Sequence, residues 1–93
     1  MKNTNLTARA NAYRLPQTTT PENLEMHFST VLTYGDRVLV SWYFYSPDHK
    51  NHAAAIYRFT TDDHSIEGEV ELIEVAAEQF SDNGHAIAWA IAH

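Results

Sequence analysis

Six histidines in 93 residues are the first groups with an obvious chemistry to offer. His49 and His52 form an H-x-x-H pair beside Asp48, and Asp62, Asp63 and His64 make a second cluster. Imidazole combined with carboxylate is the donor set of zinc and related metals. The intervening residues 53–60 read as a strand, and at about 3.3 Å per residue they would hold the clusters roughly 26 Å apart, at opposite ends of a sheet. His49 and His52 alone supply two ligands on a loop, so no metal site and no cofactor are expected, and a His-based metal-binding protein is the third-ranked reading. His85, Trp89 and His93 recur every four residues, the spacing of one helical stripe. Imidazoles there would make a contact surface sensitive to pH near neutrality, although a plain amphipathic helix accounts for the same spacing.

Catalysis finds little support. The chain has no cysteine, no G-x-S-x-G elbow, no glycine-rich phosphate loop and no H-E-x-x-H helix. Its glycines stand apart at 35, 68 and 84, so no segment gathers the backbone donors of an oxyanion hole. Asp62 and Asp63 follow an extended run and read more simply as a turn than as an acidic dyad. The chain is therefore not expected to be an enzyme.

Charge is the more distinctive signal. Lys2, Arg9 and Arg14 make residues 1–20 basic with no acid among them, whereas residues 61–93 carry acids and no Lys or Arg, and the whole chain has a net charge of −6. Glu67, Glu69 and Glu71 would share one strand face at intervals of ~6.6–6.8 Å. Such a row repels phosphates and attracts a basic protein surface, although an ordinary solvated outer face is the commoner explanation of the same alternation. Direct nucleic-acid contact by the folded body is disfavoured. No apolar run is long enough to cross a membrane, and the start has no hydrophobic stretch after Lys2, so the expected address is the cytoplasm.

The elements that must position these groups follow from periodicity. Residues 1–21 are a basic, Thr- and Asn-rich arm, expected to be loosely held, in which Leu6, Ala10 and Tyr13 allow a short helix. Residues 22–93 form one small domain. Leu24, Met26, Phe28, Thr30 and Leu32 alternate with their neighbours and predict a first strand. A two-residue turn at Gly35-Asp36 leads into a second strand over residues 37–45. Residues 53–60 give a third strand, and Ile66, Val70 and Leu72, alternating with the three glutamates, give a fourth. Residues 85–93 are read as a helix capped by Ser81 or Asp82, with a β-hairpin as the alternative. The expected class is α+β: a four-stranded antiparallel meander, a C-terminal helix and a loosely ordered N-terminal arm.

The second strand sets the functional expectation. Val38, Val40, Trp42 and Phe44 point one way, and Leu39, Ser41, Tyr43 and Tyr45 the other. With the turn at 35–36, Leu32 would oppose Leu39 and Phe28 would oppose Tyr43, grouping Met26, Phe28, Tyr43 and Tyr45 on one face. A strand apolar on both sides needs two covers, and the chain offers one good cover at its C-terminus and a poor one at its N-terminus. An aromatic face left open marks an association site. The leading reading is a small acidic, non-catalytic protein-binding module or inhibitor that occludes a basic partner surface. Trp42, Tyr43, Phe44 and Tyr45 would contribute contact, and Glu67, Glu69 and Glu71 steering. Inhibitors carried by mobile elements, anti-CRISPR proteins among them, share this size and acidity, which is an analogy of class. The alternative is a structural homodimer in which two sheets bury their open faces against each other.

Overall fold

A computed structural model describes residues 2–93, with side-chain surroundings described from Leu6 onward. The elements are α1 (Lys2–Tyr13), β1 (Thr18–Thr19), α2 (Pro21–His27), β2 (Thr30–Tyr34), β3 (Arg37–Tyr43), β4 (His52–Phe59), β5 (Val70–Val75) and α3 (Asn83–Ala92). The sheet is antiparallel in the order β1-β5-β4-β3-β2. The expected four-stranded meander is therefore present, with the two-residue β1 added along β5. Gly35 takes a φ of 65° in the two-residue turn between β2 and β3, and Leu32 faces Leu39 as the register requires.

The run after Thr20 departs from expectation. Leu24, Met26 and Phe28 alternate like a strand, but residues 21–27 form α2. Local capping wins: Thr20 Oγ1 accepts the Asn23 N–H at 3.2 Å, and Pro21 fixes the first helical φ where no donor is needed. Leu24 is buried, whereas Met26 is 75% exposed. Phe28 follows the helix and tilts against Trp42 at 5.1 Å between ring centres, so it sits on the face opposite Tyr43.

Both faces of the sheet are covered by the chain itself. On one face Val38, Val40, Trp42, Tyr57, Leu72 and Val75 are buried under Ala10 of α1, Leu15 and Leu24, with Leu6 and Tyr13 packed alongside. Tyr13 meets Trp42 and Phe44 edge-on at 5.1 and 5.7 Å. Polar ties fasten the same segment: Arg9 donates to the Val75 carbonyl at 3.2 Å, Gln79 Nε2 to the Tyr13 hydroxyl at 3.3 Å, and the Tyr57 hydroxyl to the Pro16 carbonyl at 2.7 Å. Burial pushes the Tyr57 phenol well above its ordinary pKa, so it remains a donor. On the other face α3 lies across β3 and β4 and buries Leu39, Ile56, Ala54, Ala86 and Ala90. Its small residues let the helix approach closely. With a helix over each face, the described residues leave no open sheet face of the kind the homodimer reading supposed.

Candidate functional site

The most exposed aromatic groups lie where β3 runs into its hairpin with β4. Phe44 N–H donates to the Asn51 carbonyl at 2.8 Å and closes the hairpin beyond the last strand residues. Inside the loop, Asp48 accepts the Ser46 hydroxyl and the Lys50 N–H, and Asn51 Nδ2 donates to the Ser46 carbonyl at 3.1 Å. The Ser46 hydroxyl, then the Lys50 N–H, hold the Asp48 carboxyl below its ordinary pKa, so it stays charged. At this tip Tyr45 is 84% exposed, and Tyr43 is 62% exposed with its ring edge-on to His52 at 5.6 Å.

The C-terminal segment reaches the same end. His52 and Phe80 exchange backbone hydrogen bonds at 2.8 and 3.0 Å, and Ala76 N–H donates to the Ala54 carbonyl. Residues 76–80 thus run beside the start of β4 and bring Asp82 close enough to His52 to act on it. Asp82 caps α3, accepting the His85 N–H at 2.8 Å and facing His85 Nδ1 at 2.9 Å. The His85 backbone and then its ring hold the Asp82 carboxyl below its ordinary pKa, with His52 adding a smaller attraction. Trp89 turns inward against Phe80 at 6.2 Å and stacks on His93 at 4.6 Å, whereas His85 and His93 themselves are exposed. Beneath the patch, Ser41 Oγ and His52 Nδ1 are buried without a hydrogen-bond partner among the described residues. They are diagonal neighbours on β3 and β4 on the α3 side.

The seven residues singled out from the sequence do not form one surface. Tyr43 and Tyr45 are open, but Trp42 is 8% exposed and Phe44 is half-buried against Tyr13, both on the α1 side. Trp42 is a core residue and is not available to a partner. The glutamates lie at the far end of the sheet. Glu71 opposes Arg58, six residues along β4 from His52, which is roughly 20 Å away. Nor do they make an even row. β5 begins only at Val70, Glu69 accepts the Thr60 hydroxyl at 2.6 Å, and Glu67 lies in the preceding turn. Gly68 sits at the break, in a turn so tight that a Cβ there would stand 1.9 Å from the Asp63 carbonyl oxygen. The acids nearest the tyrosines are Asp48, within the same hairpin loop, and Asp82, which acts on the His52 ring that Tyr43 meets. Asp82 is brought there by the His52–Phe80 backbone bridge, which leaves no side-chain signature in a sequence.

Other chemistry is dispersed. Among the described residues no three His, Asp or Glu side chains gather as a metal site. His49 is exposed at the loop tip with a φ of 66°, and His64 stacks on Phe59 at 4.4 Å. An open cleft of about 330 Å³ lies between the end of α1 and α2, lined in part by Tyr13, Arg14, Asn23 and His27. A second, of about 410 Å³, separates the β2–β3 turn from the end of α3. Neither includes Tyr43 or Tyr45, whereas Tyr34 lines the second.

Fold and surface together describe a small α+β module whose sheet is sheltered on both sides and whose two most exposed aromatics, Tyr43 and Tyr45, lie at the β3–β4 hairpin. Residues 15–93 match the family model described as Nucleotide modification associated domain 4, and the chain belongs to that family. The match begins at Leu15, so helix α1 precedes it. No curated protein and no solved structure matches the chain. Among the described residues, no helix is long and apolar enough to cross a membrane.

Proposed function

We infer that the chain is a non-catalytic accessory module that binds a basic protein component of a nucleotide-modifying assembly and works by covering part of its surface. One observation carries this reading: Tyr43 and Tyr45, 62% and 84% exposed, lie two residues apart where β3 enters its hairpin loop, with Asp48 inside that loop and Asp82 acting on the His52 ring that Tyr43 meets. Exposed tyrosines give large contact area at small entropic cost, and they are among the residues that concentrate binding energy at interfaces. Carboxylates around them favour a partner rich in Lys or Arg. The net charge of −6 points the same way, because an acidic body is repelled by the nucleic acid itself and attracted to proteins that handle it. The family description supplies the setting, nucleotide modification, and the acidic aromatic tip supplies the mode, contact with a protein.

The test is affinity capture from the source cell with the partner identified by mass spectrometry, followed by binding kinetics at low and high salt. The expected partner has a basic contact surface. Its association rate falls steeply with salt, whereas its dissociation rate, set by aromatic burial, barely changes. An association rate indifferent to salt would overturn the electrostatic half of this reading. Direct, sequence-independent binding of the isolated chain to DNA or RNA would overturn the rest.

A further inference from the structure

The two edges of the sheet are built differently. On one side the edge is β1, two residues long, laid along a β5 that carries Glu71 and Glu74 and is kinked by a register shift opposite Ile56 and Tyr57. Short edge strands, charges and bulges are the devices that keep a sheet from pairing with another chain. The other edge, β2, has none of them. Its five residues, Thr30, Val31, Leu32, Thr33 and Tyr34, include no charge and no proline, and its register with β3 runs without interruption. Leu32 is 41% exposed and Tyr34 51% exposed.

The turn chemistry fixes which backbone groups of β2 are free. A two-residue turn at Gly35-Asp36 makes Tyr34 and Arg37 a hydrogen-bonded pair. Counting back, Leu32 and Thr30 also bond inward to β3. Val31 and Thr33 therefore turn their N–H and C=O groups outward, away from the sheet.

We propose that β2 pairs antiparallel with β2 of a second copy of this chain about a two-fold axis at Leu32, joining two sheets edge to edge into one. The edge is self-complementary in this register. Val31 of each copy faces Thr33 of the other and exchanges both backbone bonds with it, and the two Leu32 side chains meet on the axis. No charge opposes its own copy within the strands. The distribution of acid also favours a second copy over repulsion. The glutamates on and before β5 lie three strand spacings from β2, so two copies joined at β2 hold their acidic edges roughly 34 Å apart at ~4.8 Å per strand. That is several Debye lengths at physiological salt, where one is about 8 Å. On the α3 side, Tyr34 and Ile91, the latter 45% exposed, border the open cleft beside β2 and extend the apolar contact. A five-residue edge buries less than the ~800 Å² per partner of a standard interface, so the association is micromolar. The tyrosine tip at Tyr43 and Tyr45 is left free in each copy.

Sedimentation of the full chain up to about 100 μM tests the mass, and amide hydrogen exchange tests the place. The expected species has twice the 10.6 kDa of one chain, with the Val31 and Thr33 amides protected at high concentration and exchanging freely on dilution. Leu32→Lys puts like charges on the axis at a position already partly open to water. It is expected to weaken association at least tenfold, corresponding to about 1.4 kcal/mol, without lowering the urea midpoint. A monomer at every concentration overturns the proposal. So does a dimer in which the Val31 and Thr33 amides exchange freely, since that dimer would use another surface. Exchange at these two amides is read on the unmodified chain, so the outcome does not depend on how the variant folds.

Discussion

Replacing Tyr13 by alanine tests whether helix α1 really covers one face of the sheet. Tyr13 is half-buried, and its ring meets Trp42 and Phe44 edge-on at 5.1 and 5.7 Å. Truncation withdraws on the order of 100 Å² of covered ring, worth about 2.5 kcal/mol at ~25 cal/mol/Å². Each of the two lost edge contacts adds about 0.5–1.5 kcal/mol beyond area, so Tyr13→Ala is expected to cost roughly 3.5–5.5 kcal/mol. A domain of 93 residues has about 5–14 kcal/mol in total, so the loss is a large fraction of its stability. In urea, read by circular dichroism, the midpoint should fall by about 2 M or more for the slope of a domain this size. In a Trp89→Phe background the remaining emission reports Trp42 alone, and it should shift to the red as the indole is uncovered. Tyr45→Ala serves as the control, because that ring is 84% exposed and its removal should change stability by less than about 0.5 kcal/mol. A Tyr13→Ala variant with an unshifted midpoint and unchanged Trp42 emission would refute α1 as the cover.

Two further outcomes follow from local geometry. Gly68→Ala drives a Cβ to 1.9 Å from the Asp63 carbonyl, a backbone atom that cannot swing aside, so the turn before β5 must shift. The expected cost is about 1–3 kcal/mol by chemical denaturation, the range of an overpacked site, and a neutral result would contradict the close approach. Acid titration tests the α3 cap. The Asp82 carboxyl is held below its ordinary pKa by the His85 backbone and ring, so its contribution is fully present above the unfolded value near ~3.9 and is lost as pH falls through the lower folded value. Asp82→Asn keeps an acceptor at the cap but cannot titrate, so the wild-type chain should lose more stability than this variant between about pH 5 and pH 2. Parallel losses in the two proteins would remove Asp82 from the account.

How far the sequence carried depended on whether a feature is local. β3 and β4 were legible because Val38 to Tyr43 and Ala53 to Phe59 are dense in apolar and β-branched residues, and the Gly35-Asp36 turn set their neighbour's register. The α3 helix was legible from Asp82 and the alanine-rich run behind it. α2 was misread because Leu24, Met26 and Phe28 mimic a strand period, although Thr20-Pro21-Glu22 carried a helix start that should have outweighed it. The demand for two covers over β3 was sound, but it pointed to an open aromatic face. Tyr13, at the end of α1, instead closes over Trp42 and Phe44. At the site, alternation separated Tyr43 and Tyr45 correctly from Trp42 and Phe44. The glutamate row failed because period-two reasoning assumed a continuous strand through Gly68. Asp48 lies in the tyrosines' own loop, whereas Asp82 arrives through the backbone pairing of His52 with Phe80, a long-range contact with no local pattern.

The account rests on the tyrosine tip being a contact surface with no part in holding the fold together. The most direct test is a Tyr43→Ser/Tyr45→Ser variant, compared with the wild-type chain for both urea midpoint and affinity toward the captured partner. The expected result is an affinity at least a hundredfold weaker, about 2.7 kcal/mol, with a midpoint close to that of wild type. Undiminished binding by a stably folded double variant would contradict the claim.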